Sequence, residues 1–105
     1  MSDPTSLVEV RARIDALDGD LVRLLAQRQV LVRQAAAFKS DERAVRASDR
    51  VEQVVQTARE RAVDAGLSPS VAELVWRAMV SAFIDLELDE HRAAASSAGG
   101  REGER

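Results

Sequence analysis

Arg28 is a guanidinium in a place where the sequence otherwise puts hydrocarbon. Leu7, Val10, Ile14, Leu17, Leu21, Leu24, Arg28, Leu31, Ala35 and Phe38 follow one another in steps of three and four, and only Arg28 is charged. A charge aimed into an apolar seam is costly unless it is paired. Two readings stand side by side. Either the arginine snorkels or pairs with an acid from another helix, or the seam opens around an anionic ligand. Lys39 follows eleven residues on, which at 100° per residue returns it to within about 20° of the same helix face. Two cations would then line one stripe. Arg50 falls in the first turn of a predicted helix, where a cation opposes the helix dipole instead of matching it. Arg11, four residues before Asp15, reads as a surface arginine by spacing alone.

Glu87 is the acidic counterpart. It lies in line with Trp76, Val80 and Phe83 and so extends an apolar stripe. It reads either as a helix end emerging into water beside Glu90 and Arg92, or as a polar group placed on purpose. Trp76, Met79 and Phe83 at helical spacing read as core. Asp15, Asp18 and Asp20 read as a solvated acidic face, with Asp18 available to a neighbouring subunit.

The elements that position these groups are all helical. Strand signals are missing, with no tyrosine, few aromatics and no alternating runs between turn residues. The stretches between Pro4, Gly66 and Pro69 are rich in Ala, Leu, Arg, Glu and Gln, all good helix formers. The first helix is expected to start at Thr5 or Ser6, with Glu9 placed as in a capping box, and to run through Phe38. Val22, Leu25 and Val32 widen its apolar face. At 1.5 Å per residue it would be roughly 50 Å long, longer than a ninety-residue globule is wide, so it demands a partner chain. Ser40 to Ala47 reads as the connection. The second helix is expected from a cap at Ser48 or Asp49 to Ala65, with Gly66 ending it. The third starts with Ser68 as cap and Pro69 in the first turn, and ends near Arg92.

One domain over residues 1–92 and a disordered polar tail over 93–105 are expected from this pattern. About ninety residues build only a modest core, which again favours an oligomer. With no cysteine, disulfides and thiol chemistry are excluded, and a cytoplasmic location is expected. No apolar run approaches the roughly 20 residues that span a bilayer, and Met1–Ser6 lacks the features of a signal peptide, so no membrane partner is expected. A formal charge of −3 argues against nucleic acid. The single His91 cannot build a multi-histidine site, and no metal is expected.

The stretch V-R-A-R-I-D-A-L-D-G-D-L-V-R-L-L-A-Q-R, then F-K, then S-D-R-V, resembles the all-helical chorismate mutase family, from about Leu7 to Arg92. The D-R-V segment, the F-K pair and the A-G-L step before the third helix also resemble its isochorismate pyruvate lyase branch. The resemblance implies three helices per chain with a long first helix, in an intertwined homodimer. It implies that Arg11 is donated across the dimer, that Arg28 binds a substrate carboxylate, and that Lys39 bonds a carboxylate and the ether oxygen. Arg50 matches a further arginine of the site, and Glu87 falls where many relatives carry a glutamine that donates to the ether oxygen. The implied catalytic residues are Lys39, Glu87 and Arg28. The implied binding set is Arg11, Arg28, Lys39, Arg46, Arg50, Val51, Phe83 and Glu87.

The implied reaction is a [3,3] rearrangement of chorismate to prephenate with no cofactor and no covalent intermediate. Such a step needs no nucleophile. It needs the reactive conformer held and charge on the breaking ether oxygen stabilised, which preorganised cations do. Two departures bear on this. An ionised Glu87 only accepts hydrogen bonds, so donation requires its protonated form, which burial and substrate charge are expected to favour. Val51 replaces a glutamate that family mutases place against the ring hydroxyl, which brings 4-amino-4-deoxychorismate mutase and isochorismate pyruvate lyase into view as alternatives. Some relatives act only with a partner enzyme. A helical dimerisation module, with Arg28 and Glu87 ion-paired, is the non-enzymatic alternative.

Overall fold

The computed structural model describes residues 2–103, with side chains described for 2–96. The element order is α1 (Leu7–Ala36), α2 (Glu42–Arg46), α3 (Ser48–Ala65) and α4 (Pro69–Gly103), and no strand occurs among the described residues. The chain is all-α, with three long helices and one short helical turn. It divides into two compact units, one ending at Val32 and the other beginning at Arg33. None of the described helices is long and apolar enough to cross a membrane.

The start of α1 follows from its capping chemistry. The Glu9 N–H donates to Ser6 Oγ at 3.2 Å, and the Glu9 carboxylate reaches back to accept the Thr5 N–H at 2.7 Å. The first bond satisfies an amide that the first turn leaves without an intrahelical partner, and the second ties the residue before the cap to the same glutamate. The helix passes through Gly19 without interruption. No residue of α1 is buried, and Leu7, Val10, Ile14, Leu17, Leu21, Leu24 and Leu31 are all exposed.

The far end of α1 differs from expectation. The helix stops at Ala36, short of Phe38, because the N–H groups of Ala37, Phe38 and Lys39 bond to carbonyls three residues back instead of four. Such bonds tighten and end an α-helix. Lys39 therefore lies in the connection, and the helical-wheel placement of Lys39 on the Arg28 stripe does not hold.

The connection itself contains α2, which the polarity of Ser40–Ala47 concealed. Asp41 caps it, its Oδ1 accepting the Ala44 N–H at 2.9 Å, and Val45 is buried. Ala47 then adopts φ +30°, the only non-glycine residue with positive φ among those described, and joins α2 directly to α3. Ser48 is thus already inside α3, and neither Ser48 nor Asp49 is the cap; the cap position is Ala47, which makes no side-chain hydrogen bond.

The α3–α4 hairpin forms as its punctuation predicts. Gly66 takes φ +77°, and the Leu67 N–H reaches back to the Ala62 carbonyl at 2.8 Å, closing α3 with a left-handed cap. Ser68 Oγ accepts the Val71 N–H at the start of α4. α3 packs against α4, as does α2, and Val55, Ala58 and Ala62 of α3 and Ala72, Val80 and Leu88 of α4 are all buried. The alanines let the two backbones approach closely, and Val55 is the largest side chain fully enclosed. α4 continues past its expected end at Arg92 to Gly103. Ala93, Ala94 and Ala95 carry the strongest intrinsic helix preference, which sustains the helix into the segment expected to be a tail. Glu104 and Arg105, the end of that segment, lie outside the described residues.

Candidate active site

The half-buried ammonium of Lys39 meets the carboxylate of Glu87, 48 residues away in sequence. Lys39 Nζ donates to Glu87 Oε2 at 2.9 Å and Oε1 at 3.2 Å. Glu87 is only 6% exposed, the one charged residue among the buried side chains described. Its carboxylate is thus inside the unit and paired, not emerging into water at a helix end. The reason is local: α4 does not end there, so the apolar stripe carries Glu87 inward with Val80. A buried charge is tolerated when an opposite charge and hydrogen bonds accompany it, and Lys39 supplies both.

Lys39 is the only lysine in the chain; the other cationic side chains are arginines. A lysine ammonium is a compact charge with three donors, where an arginine is a planar fork. With two of its directions toward Glu87, the ammonium retains capacity for a further acceptor. Phe83, one turn before Glu87 on α4, is half-buried.

Two more ion pairs bracket this one. Arg33 donates from Nε and Nη2 to Glu90 Oε1 at 2.9 and 2.7 Å. Arg92 donates from Nε to Glu42 Oε1 at 2.7 Å and from Nη2 to Oε2 at 3.3 Å. The hydrogen bond from Arg92 holds the Glu42 carboxyl below its ordinary value, and the same bond raises Arg92. Sequence spacing carries no signal for any of these contacts, which join residues separated by fifty positions or more.

The remaining expected residues are distributed as follows. Arg46 and Val51 line a cavity of about 310 Å³ with Ser48, Glu52, Arg77, Val80, Ser81, Ile84 and Asp85. Across it Arg77 grips Glu52 with two hydrogen bonds of 2.8 and 2.9 Å, and its Nε also reaches Glu73. The hydrogen bond from Arg77 holds the Glu52 carboxyl below its ordinary value. Glu52 is therefore engaged by Arg77 on the rim of this cavity. Arg50 is exposed and donates to Gln53 Oε1 at 3.0 Å, one turn along its own helix. Arg11 and Arg28 belong to the unit that ends at Val32, where Arg11 is exposed and Arg28 half-buried. The structure thus joins Lys39 to Glu87 directly, and Arg46 to Val51 around a common cavity. Arg33, Glu42, Glu90, Arg92 and Arg77 are the charged groups around these positions that the sequence reading did not single out.

Residues 10–88 match the chorismate mutase type II family. Among characterised proteins, the isochorismate pyruvate lyase of Pseudomonas aeruginosa is 30% identical over 82 residues, which covers 78% of this chain and 81% of that protein. The matched span contains every position of the expected site, from Arg11 to Glu87. By the match over residues 10–88 and the identity to the Pseudomonas protein, the chain, with Arg28 in its first-helix seam and its lone lysine paired to a buried glutamate, belongs to the chorismate mutase type II family and is an enzyme of that isomerase type.

Proposed function

We propose that this chain rearranges chorismate to prephenate in one pericyclic step, breaking the ether C–O bond as a new C–C bond forms. The observation that carries the reading is the Lys39–Glu87 pair, in which a lone lysine is held half-buried with donor capacity to spare. In this reading Lys39 donates to a substrate carboxylate and to the ether oxygen as negative charge develops there. Stabilisation of that charge by a fixed cation in a site shielded from water lowers the barrier without a covalent intermediate. Arg28 and Arg50 bind the carboxylates of the substrate, Arg46 and Phe83 complete the pocket wall, and no cofactor takes part. Glu87 orients the lysine when ionised, and donates a hydrogen bond of its own only when protonated.

The proposed enzyme is a cytoplasmic homodimer in which Arg11 of each chain enters the site of the other. Support comes from α1, whose apolar seam is exposed throughout. Burying a Leu, Val or Ile side chain contributes roughly 1.5–3 kcal/mol, so seven such residues are a large incentive to associate.

A second reading, isochorismate pyruvate lyase, is favoured by Val51, which cannot accept a ring hydroxyl, and by the identity with the Pseudomonas lyase. The same feature keeps 4-amino-4-deoxychorismate as an alternative substrate. Incubation of the purified chain with chorismate, isochorismate and 4-amino-4-deoxychorismate, with product identification, separates these readings. Prephenate from chorismate is the expected result. Pyruvate release from isochorismate with no prephenate would reassign the chain to the lyase reaction. Turnover of none of the three, with or without a partner enzyme, would overturn the proposal.

A further inference from the structure

We propose that Arg33–Glu90 and Glu42–Arg92 form a two-point clamp, in which these four residues position Lys39 by fastening its connection to α4. The functional half of this inference rests on the reading of Lys39 as a substrate-binding residue.

Lys39 is placed by a segment with little to hold it. α1 ends at Ala36 and α2 begins at Glu42, so no helix carries the lysine. The adjoining Phe38 is 91% exposed and anchors nothing within the chain. Between Arg33 and Glu42, the long-range side-chain bonds present are the Lys39–Glu87 pair and the two clamps. Arg33 lies six residues before Lys39 and Glu42 three residues after it. Their partners, Glu90 and Arg92, lie three and five residues beyond Glu87 on the same helix. The connection is therefore fastened on both sides of the lysine, to the turns of α4 that carry the lysine's own partner. The continuation of α4 past Arg92 keeps that arginine inside the helix and away from a fraying end. Both clamps are doubly donated from a planar guanidinium, a geometry that restricts orientation as well as distance. Val45 anchors the distal end of the segment by burial but stands six residues from Lys39.

Because Lys39 is the sole lysine, its freedom can be read chemically in the intact protein. An amine-acetylating reagent modifies only Lys39 and the N-terminal amine, and the latter serves as an internal reference in peptide mass spectrometry. Arg33→Gln and Arg92→Gln are each expected to raise the relative acetylation rate of Lys39 about threefold to fivefold, and together about tenfold or more, since exposed pairs bias a local equilibrium by factors of this size. In parallel the KM for chorismate should rise severalfold while kcat changes less than about twofold. The charge-reversed pair Glu42→Arg with Arg92→Glu should bring both readouts back to within about twofold of the unaltered protein. Unchanged acetylation in the Arg33→Gln, Arg92→Gln protein, with helix content intact, would overturn the clamp. So would failure of the reversed pair to restore it. Increased acetylation with unchanged KM would overturn the positioning role while supporting the clamp. Increased acetylation in a protein that turns over none of the three substrates would overturn the functional reading and leave the clamp standing.

Discussion

α1 and the α3–α4 hairpin draw on the same residue types and meet opposite fates. Val55, Ala58 and Ala62 of α3 and Ala72, Val80 and Leu88 of α4 are buried in the packed hairpin region, whereas α1 has no buried residue. The difference lies in the connections as much as in the composition. Gly66 in the left-handed region and Ser68–Pro69 at the next helix start fold α4 back on α3 within three residues, so their apolar stripes meet. The seam of α1 is just as regular, yet it stays exposed along its length, from Leu7 to Leu31. One region buries its apolar pattern, and the other leaves its pattern exposed, which is the basis of the proposed association with a second chain. The proposed dimer is the form in which both patterns are satisfied.

The sharpest way to break this comparison is to charge the seam. Leu17→Asp with Leu21→Asp should convert the proposed dimer to monomer in light scattering and reduce turnover more than about 100-fold, since in that dimer each charge would have to be buried without a partner. A hairpin substitution of similar severity, Val55→Asp, should unfold the chain instead, because that position is enclosed within a single molecule.

Next in size is Lys39→Ala, expected to lower kcat/KM by about 10²- to 10³-fold, the usual effect of removing a donor to a developing negative charge. It also leaves a buried carboxylate without its partner, so the thermal midpoint should fall. Glu87→Gln should be far milder. The amide retains a hydrogen-bond role, and activity is expected to stay within about threefold near neutrality. Loss of activity comparable to that of Lys39→Ala would contradict the assigned role. Smaller still, Ala47→Gly relieves a left-handed backbone at a residue with a Cβ and should stabilise the chain by about 1 kcal/mol in denaturant unfolding.

The pH dependence gives the smallest effect. The carboxyls of Glu42 and Glu52 are held below the ordinary value of 4.5 by hydrogen bonds from Arg92 and Arg77. A lowered folded-state value means that these pairs stabilise the fold above about 4.5 and lose that contribution as pH falls through the lower value. The contribution of these pairs to the thermal midpoint should therefore be constant between pH 5 and 8 and decline in stronger acid, and Arg77→Gln should reduce the acid-side slope.

Local chemistry made most of the fold legible. Ser6 with Glu9, Gly66, and Ser68 with Pro69 each act within a few residues, and each marks a real boundary. Glu87 announced itself by interrupting an apolar stripe, and it is buried. What escaped depends on contacts that sequence neighbours do not encode. Lys39 leaves the helical lattice because the last amides of α1 switch to three-residue bonds, so its expected face had no meaning. α2 is short and polar enough to resemble a loop until Val45 is seen to be buried. The partners of Arg33 and Arg92 lie fifty or more residues away, and only the approach of α4 creates them.

The proposed site is shared between two chains, and mixing two inactive variants reads that sharing out. Arg11→Ala lacks the donated arginine and Lys39→Ala lacks the lysine, so each homodimer has two defective sites. After unfolding and refolding together in equal amounts, half the dimers would be mixed, and one site in each would combine an intact Arg11 with an intact Lys39. Recovery of about a quarter of the unaltered activity is expected, as random pairing of two-fold dimers requires. A refolded mixture no more active than either variant alone, with dimers present in light scattering, would contradict it.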